Sequence, residues 1–248
     1  MRNVKMTIWV MAVVTILATT VSYADIITFN DGGSHEFNSY TTDTLAVEDS
    51  SGGNPTTLSL VSGTYVDNHY VYAYDFSELN VVAGYAYGIF PMDSSTANMS
   101  GGEAAYWHSY GISQTYIWGG DVSHRLNSHE SSVVNVTGGY ISSLVAFDSS
   151  VVALSGGIIA NLSSYDSSII NIHGSNFFVS DTGGSQGDGY ITGNWLDSTP
   201  FNISIFNDPV FGEDTISHIN LVPAPGALLL GSLGLTFSGW ILKRKGMM

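Results

Sequence analysis

The sequence predicts an all-β protein built as a parallel β-helix, or β-solenoid, of coils about 18 residues long with capping strands at both ends. Three observations support this fold. An acidic residue, two serines, a β-branched run and a glycine turn recur every 18 residues between 130 and 177. Val, Ile, Tyr, Phe and Gly are abundant, which favours strands and turns. No segment shows the helical period, and a fixed short period with β-branched residues is typical of a solenoid.

Glycines mark the turns of the coils, which are predicted over residues 75–179. Their spacing runs from 17 to 19 residues. A sharp corner favours glycine because the chain there adopts positive φ. At about 3.3 Å per residue, one coil has a perimeter of roughly 60 Å, which suits three short strands joined by turns. The predicted turn glycines are Gly84, Gly101, Gly102, Gly119, Gly120, Gly138, Gly139, Gly156, Gly157 and Gly174.

Alternation within the repeat separates inward from outward side chains, and equivalent residues should stack in columns. Each buried aliphatic side chain contributes about 1.5–3 kcal/mol. The predicted inward columns are Val134, Val152 and Ile170; Val136, Leu154 and Ile172; Ile141, Ile159 and Phe177; and Leu144 and Leu162. The predicted outward positions between them are Asn135, Ala153 and Asn171.

The flanking segments lack the clear repeat. Residues 25–74 are predicted to form N-terminal capping strands, and residues 180–221 C-terminal capping strands. The latter follow a Gly/Ser/Asp loop and are expected near 190–197, 201–206 and 215–221. A solenoid needs atypical ends because its terminal coils otherwise expose core and strand edges.

Charge is distributed unevenly along the chain. All 21 acidic residues lie between 25 and 214, together with a single basic residue, Arg125. So acidic a body repels nucleic acid, which is excluded as a partner. The acids could attract calcium or simply keep an exported protein soluble. There is no cysteine, so disulfides and thiolate chemistry are excluded.

The first 24 residues predict a secretory signal peptide. Arg2 and Lys5 precede an apolar core, and Ser22-Tyr23-Ala24 supplies the small residues of a cleavage site. Cleavage is expected between Ala24 and Asp25. The alternative is an uncleaved membrane anchor.

The C-terminal tail, residues 222–246, combines a short proline motif, an apolar run and a basic cluster. The apolar run at 227–242 predicts a transmembrane helix of about 24 Å. The basic cluster should remain cytoplasmic, so that the body lies outside. The motif residues are Val222, Pro223, Ala224 and Pro225, and the basic cluster is Lys243, Arg244 and Lys245.

This three-part tail resembles the PEP-CTERM sorting signal of exported Gram-negative bacterial proteins, with Ala224 standing where the family usually has Glu. The resemblance implies recognition by an exosortase-type enzyme, cleavage near the motif and transient anchoring in the inner membrane. It also implies final placement at the cell surface or outside the cell, often in association with exopolysaccharide and biofilm. Because the bodies of such proteins vary widely, the tail predicts a route rather than an activity.

The acidic positions of the repeat form a predicted ladder in which Glu130, Asp148 and Asp166 lie about 4.8 Å apart, one coil from the next. Three interpretations are open: turn residues that cap backbone amides, calcium ligands, or a catalytic carboxylate pair of the kind in retaining glycosidases. The repeat itself imposes the spacing, so the ladder favours the structural interpretation.

Aromatic residues concentrate upstream of the regular repeat. They either fill a wider core or form a stacking platform for sugar rings. They are Tyr85, Tyr87, Phe90, Tyr106, Trp107, Tyr110, Tyr116 and Trp118. The seven histidines show no metal-site spacing, and no catalytic triad, P-loop or dinucleotide fingerprint is present.

These observations predict an exported, surface-sorted structural or adhesive protein, non-enzymatic and in contact with extracellular polysaccharide. The alternative is a polysaccharide lyase or glycoside hydrolase on the same scaffold. A specific site is expected where the repeat breaks, either in the coils from Tyr85 to Trp118 or in an inserted loop at His124–His129.

Overall fold

The computed structural model describes residues 25–180, 189–206 and 214–223. They form an all-β solenoid of about eight coils of roughly 18 residues, which confirms the predicted fold and coil length. The predicted signal peptide, the helix at 227–242 and the basic cluster lie outside the described residues. Within the described ranges, no helix has the length and apolar character needed to cross a membrane.

Twenty strands and one short 3₁₀ helix make up the described chain. The strands are β1 Ile26–Phe29, β2 Ser34–Phe37, β3 Tyr40–Thr41, β4 Thr44–Val47, β5 Thr57–Leu60, β6 Tyr65–Ala73, β7 Glu78–Val81, β8 Tyr85–Pro91, β9 Thr96–Met99, β10 Glu103–Ser109, β11 Gln114–Ile117, β12 Asp121–Ser128, β13 Val133–Val136, β14 Tyr140–Ala146, β15 Val151–Leu154, β16 Ile158–Ser164, β17 Ile169–Ser180, β18 Gly189–Trp195, β19 Pro200–Ile205 and β20 Ile219–Pro223. The 3₁₀ helix is Thr215–His218.

Each regular coil contributes one short and one long strand, and like strands stack in parallel. The short-strand sheet runs β2, β5, β7, β9, β11, β13, β15, β17 and β20. The long strands pair in two limbs, because pairing is interrupted after the second residue of each strand: in β10, Ala104 pairs with Ala86 and pairing resumes at Tyr106 with Gly88. The outer surface of the second limb carries the features described below.

The long strand β12 contains one extra residue. Pairing with β10 shifts between Val122 and Arg125, and pairing with β14 shifts between Val122 and Leu126, where the corresponding interval in β14 is Ile141 to Leu144. This extra residue accounts for the 19-residue coil. The predicted inserted loop at His124–His129 is therefore wrong: these residues lie in or directly after a bulged strand, because a one-residue insertion is absorbed as a bulge without leaving the sheet.

The core is one continuous column of mostly aliphatic side chains between the sheets. All the predicted inward residues except Phe177 are buried. The predicted outward residues Asn135, Ala153 and Asn171 are only partly buried. Phe177 does not join Ile141 and Ile159. Strand β17 runs past the end of its coil and pairs antiparallel with β18, and Phe177 packs on Phe201 at a centroid distance of 6.2 Å.

The double glycines of the turns serve two different purposes. The second glycine of each pair has positive φ, as in Gly157 at 88°, which confirms the predicted corner conformation. The first lies against the coil before it: a Cβ on Gly156 would come within 2.2 Å of the Thr137 carbonyl oxygen. Gly174 is not a turn residue, contrary to the prediction, and lies inside β17 beside Asn194.

The two ends of the solenoid differ. Parallel stacking begins at Ile26, where β1 pairs with β4, so residues 25–74 already form coils. At the other end, β18 and β19 form an antiparallel hairpin on β17, and β19 and β20 also pair in parallel with β16 and β17. Thr215–His218 forms the 3₁₀ helix instead of the predicted strand, with the Asp214 carboxylate accepting from the Ile216 amide.

Candidate functional site

The predicted acidic ladder lies at the turn between each long strand and the next short strand. Glu130, Asp148 and Asp166 all have φ between 57° and 59°, a left-handed conformation that only a few residue types adopt readily. Asp75 and Asp93 share this conformation, and Gly111 occupies the same position one coil before Glu130. The ladder therefore marks one left-handed corner that recurs in successive coils.

Hydrogen bonds connect the ladder from coil to coil. The Glu130 amide donates to Asp148 at 2.8 Å, and the Asp148 amide donates to Asp166 at 3.2 Å. The Gly111 amide donates to the Glu130 carboxylate at 2.6 Å. Each carboxylate thus satisfies a backbone donor of the preceding coil.

These hydrogen bonds explain why acidic residues recur at this corner without assigning them a catalytic role. Each carboxylate uses one oxygen on a backbone amide, as the structural interpretation requires, although the amide belongs to the neighbouring coil and not to the same turn. Within the described ranges, no group of three or more His, Asp or Glu side chains is placed to hold a metal ion. The calcium and catalytic interpretations remain predictions.

The outer surface of the second limb carries three columns of side chains. The first column contains Tyr70, Gly88, Tyr106, Arg125, Ser143 and Asn161. The second contains Tyr72, Phe90, His108, Asn127, Val145 and Ser163. The third, at the end of each strand, contains Tyr74, Met92, Tyr110, His129, Phe147 and Tyr165. In the first two columns the side chains become small toward the C-terminal coils, whereas the third remains aromatic there.

The third column is a stack of nearly parallel rings. Tyr110 and His129 have centroids 4.6 Å apart, His129 and Phe147 4.7 Å, and Phe147 and Tyr165 5.1 Å, with interplanar angles of 10° or less. These separations match the ~4.8 Å rise between coils. Both faces of the His129 and Phe147 rings are covered by their neighbours, so neither ring has an open face for a further stacking partner.

A cleft of about 590 Å³ opens where the first two columns become small. Ser143, Val145, Asn161 and Ser163 form its floor, and Phe147 and Tyr165 of the ring stack form its side. Arg125 lies at the N-terminal end. Phe206 lies at the C-terminal end, because its amide donates to the Leu162 carbonyl and places it one coil beyond Ser163. Asp166 lines the corner.

Burial lowers the pKa of two histidines on this outer surface, His108 and His129. Burial lowers the pKa of His108 to about 4, with smaller contributions from His129 and Arg125. Burial also lowers the pKa of His129, although the Asp148 and Glu130 carboxylates oppose it. The Asn127 amide nitrogen lies 3.2 Å from His108 Nδ1, a contact in which a neutral ring accepts.

The upstream aromatics divide between core and surface. Trp107 is fully buried and donates through Nε1 to the Thr115 hydroxyl at 3.2 Å, so it fills the core as one alternative predicted. The others lie on outer surfaces: Tyr87, Phe90, Tyr106 and Tyr110 on the long-strand side, Tyr116 on the short-strand sheet, and Tyr85 in a stack with Tyr65. Trp118 is 52% exposed at a corner.

The predicted sorting motif begins inside the folded body. Val222 and Pro223 close β20, in register with His173 and Gly174 of β17. Ala224, Pro225 and Lys243–Lys245 lie outside the described residues. Of the predicted cleavage pair, Asp25 is described and Ala24 is not.

Sequence reasoning missed the cleft. The signal in the sequence is the change from large to small residues along one outward column, Tyr106, Arg125, Ser143 and Asn161. These residues align only when the extra residue of β12 is taken into account. No family model, curated protein or solved structure matches the chain. The cleft is therefore interpreted from its own chemistry.

Proposed function

We propose that the chain is an exported, surface-sorted structural or adhesive protein that contacts extracellular polysaccharide without chemically altering it. The cleft on the long-strand sheet is the observation that carries the proposal. Its volume of about 590 Å³ lies within the range of small-ligand sites. Hydroxyl and amide groups on the floor and aromatic groups at the side and end suit a sugar, which has polar edges and apolar ring faces.

The non-enzymatic part of the proposal is supported by the use of the ladder carboxylates. Glu130, Asp148 and Asp166 each accept a hydrogen bond from a backbone amide of the preceding coil, as a repeated corner requires. A general acid and a nucleophile need environments that differ, whereas these positions are repeats of one environment. A lyase or hydrolase on the same scaffold is the competing outcome.

The export route rests on the two ends of the sequence. The basic-apolar-small pattern of residues 1–24 supports secretion. The motif at 222–225, the apolar run and the basic cluster support sorting by an exosortase-type enzyme after transient anchoring in the inner membrane. The acidic body would then reside at the surface of a Gram-negative cell or in its matrix.

Binding is tested by titrating the purified exported protein with neutral and acidic polysaccharides while assaying reducing and unsaturated ends. Ser143→Tyr fills the cleft with a residue that the same column carries at Tyr106, so we expect binding to fall at least tenfold with the fold intact. Asn135→Tyr is the matched control, because Tyr116 occupies that column of the short-strand sheet one coil earlier. Unchanged binding by the Ser143 variant would remove the cleft from the proposal, and release of new chain ends would replace it with the enzymatic alternative.

The route is tested separately by mass spectrometry of the mature termini. A chain that begins at Asp25 and ends near the proline motif is expected. A chain that retains Lys243–Lys245 would mean that the tail is only an anchor, and a chain that retains residues 1–24 would mean that the N-terminus is an uncleaved one.

A further inference from the structure

Arg125 occupies an unusual position for the single basic residue of an acidic body. It lies in β12, in the first outward column, paired in register with Tyr106. Its neighbour in the next coil is Ser143, because Leu126 pairs with Leu144. The side chain is exposed and forms the N-terminal wall of the cleft.

No described residue forms an ion pair with Arg125; the ion pair found in the described ranges joins His35 and Asp31. Of the acids nearest in sequence, Asp121 forms no ion pair with Arg125, and the Glu130 carboxylate accepts from the Gly111 amide. Asp166, which lines the same cleft, accepts from the Asp148 amide. Arg125 therefore forms no ion pair with a described carboxylate, although Asp166 lines the same cleft, and it retains its capacity to bind a carboxylate. A guanidinium binds planar carboxylates through two parallel hydrogen bonds.

The floor beside Arg125 adds neutral hydrogen-bonding groups. The Asn161 side-chain nitrogen donates to the Ser142 carbonyl at 2.9 Å. This bond fixes the orientation of the amide, whose oxygen remains available as an acceptor. The Ser143 and Ser163 hydroxyls line the same floor. These groups suit sugar hydroxyls, while Arg125 adds a requirement for negative charge at one end.

We propose that the cleft binds a single carboxylate-bearing sugar residue, with the carboxylate paired to Arg125 and the sugar hydroxyls facing the floor. The inference rests on the proposed function and specifies its ligand. Because the body is acidic, a polyanion would be repelled over its length, and an isolated acidic residue on an otherwise neutral glycan is favoured. The acidic residue could be a free sugar acid or the end of a chain.

The test compares three probes by calorimetric titration: free glucuronic acid, a glucose oligosaccharide ending in one glucuronate, and its all-glucose counterpart. We expect the acidic oligosaccharide to bind at least tenfold more tightly than the neutral one. Arg125→Gln should abolish that preference, while Arg125→Lys should keep part of it because the charge remains but the paired hydrogen bonds do not. Raising the salt concentration should reduce the preference.

His124→Gln is the control variant, because His124 is exposed and next to Arg125 but does not line the cleft. Arg125→Gln and His124→Gln should both keep the parent melting temperature. Equal binding of the acidic and neutral oligosaccharides, or an unchanged preference in Arg125→Gln, would overturn this inference alone. Binding of none of these probes and of no polysaccharide would overturn the proposed function as well. Free glucuronic acid binding as tightly as the oligosaccharide would assign the cleft to a soluble sugar acid, and much weaker binding would assign it to a chain end.

Discussion

The imidazole ring of His129 and the phenyl ring of Phe147 stack one coil apart, with centroids separated by 4.7 Å and planes inclined by 1°. Tyr110 and Tyr165 extend this stack on either side. The register of the parallel strands sets the ring spacing, so the rings add contact energy without extra ordering of the backbone. The stack therefore stabilises the same outer surface that forms the side of the cleft.

Replacing Phe147 by Ala should interrupt the stack between His129 and Tyr165. We expect a loss of about 1–3 kcal/mol in the free energy of unfolding, less than for a fully buried Phe because Phe147 is only half-buried. Chemical denaturation followed by circular dichroism measures the loss. The control is Phe76→Ala, since Phe76 is 67% exposed in a turn and should change stability little. Equal losses in the two variants would show that the stack contributes nothing.

Acidification should destabilise the solenoid between pH 6.5 and about pH 4. The folded-state pKa of His108 is lowered from 6.5 to about 4 by burial, so in this window the unfolded chain binds the proton and the folded chain does not. Stability therefore rises with pH here and falls as the pH decreases. His129 acts in the same direction, because its pKa is lowered and its Nε2 is buried without a hydrogen-bond partner among the described residues.

The measurement is the melting temperature as a function of pH for the parent, His108→Phe and His124→Gln. Phenylalanine at this position removes the titrating group and preserves stacking with Phe90, whose ring centroid lies 5.0 Å from that of His108. The slope between pH 6.5 and 4 should become shallower in His108→Phe. His124 is exposed, so its variant should retain the parent slope. A parent slope in the His108 variant would contradict the assignment.

The alternation of the repeat was sufficient to predict the core and the turns. Val134, Val152 and Ile170 stack because residues two apart point to the same side of a strand and equivalent residues recur in each coil. Gly156 could be placed at a corner for the same reason, although its contact with Thr137 is a packing constraint that no single coil reveals. The path of β17 beyond Gly174 could not be predicted, because the choice between turning and forming a hairpin depends on β18, which is distant in sequence.

The candidate site was less predictable than the fold. The acidic ladder is easy to find because it repeats, but a residue that recurs in every coil is expected to have the same structural role in each. Arg125 was visible as the lone base of the body, but its relation to Ser143 and Asn161 depends on the register across a bulge. The cleft forms where successive coils lack large outward side chains, and such an absence produces no recognisable sequence motif.

Substitutions at Asp148 should separate the conformational from the hydrogen-bonding role of the ladder. Asp148→Asn retains an acceptor for the Glu130 amide and tolerates φ of 57°, so it should be nearly neutral. Asp148→Gly keeps only the conformational freedom and should cost about 1–2 kcal/mol. Asp148→Ala loses the acceptor and adds backbone strain, for a total loss of about 2–4 kcal/mol.

Thermal denaturation of the three Asp148 variants gives the order directly. The expected ranking of melting temperatures is parent and Asn, then Gly, then Ala. A melting temperature for Asp148→Asn as low as for Asp148→Ala would mean that the negative charge itself is required.

Calcium should leave the melting temperature unchanged. Calcium takes six to eight oxygen ligands. The ladder carboxylates each use an oxygen on a neighbouring amide, and Glu130, Asp148 and Asp166 follow one another singly along the coils. Titration with calcium against magnesium, monitored by melting temperature, is the measurement. A saturable rise with calcium that disappears in Asp148→Asn would instead establish the ladder as a calcium site.

Gly156→Ala should be among the most disruptive single substitutions in the chain. A Cβ there would lie 2.2 Å from the Thr137 carbonyl oxygen, a backbone atom that cannot move without separating two coils. We expect a loss of at least about 2 kcal/mol, with a matching fall in melting temperature. The control is Gly53→Ala, where φ is 72° but no atom lies within 4 Å of the added Cβ, so only left-handed strain of about 1 kcal/mol applies. If the two variants melt alike, close approach of the coils does not require glycine at position 156.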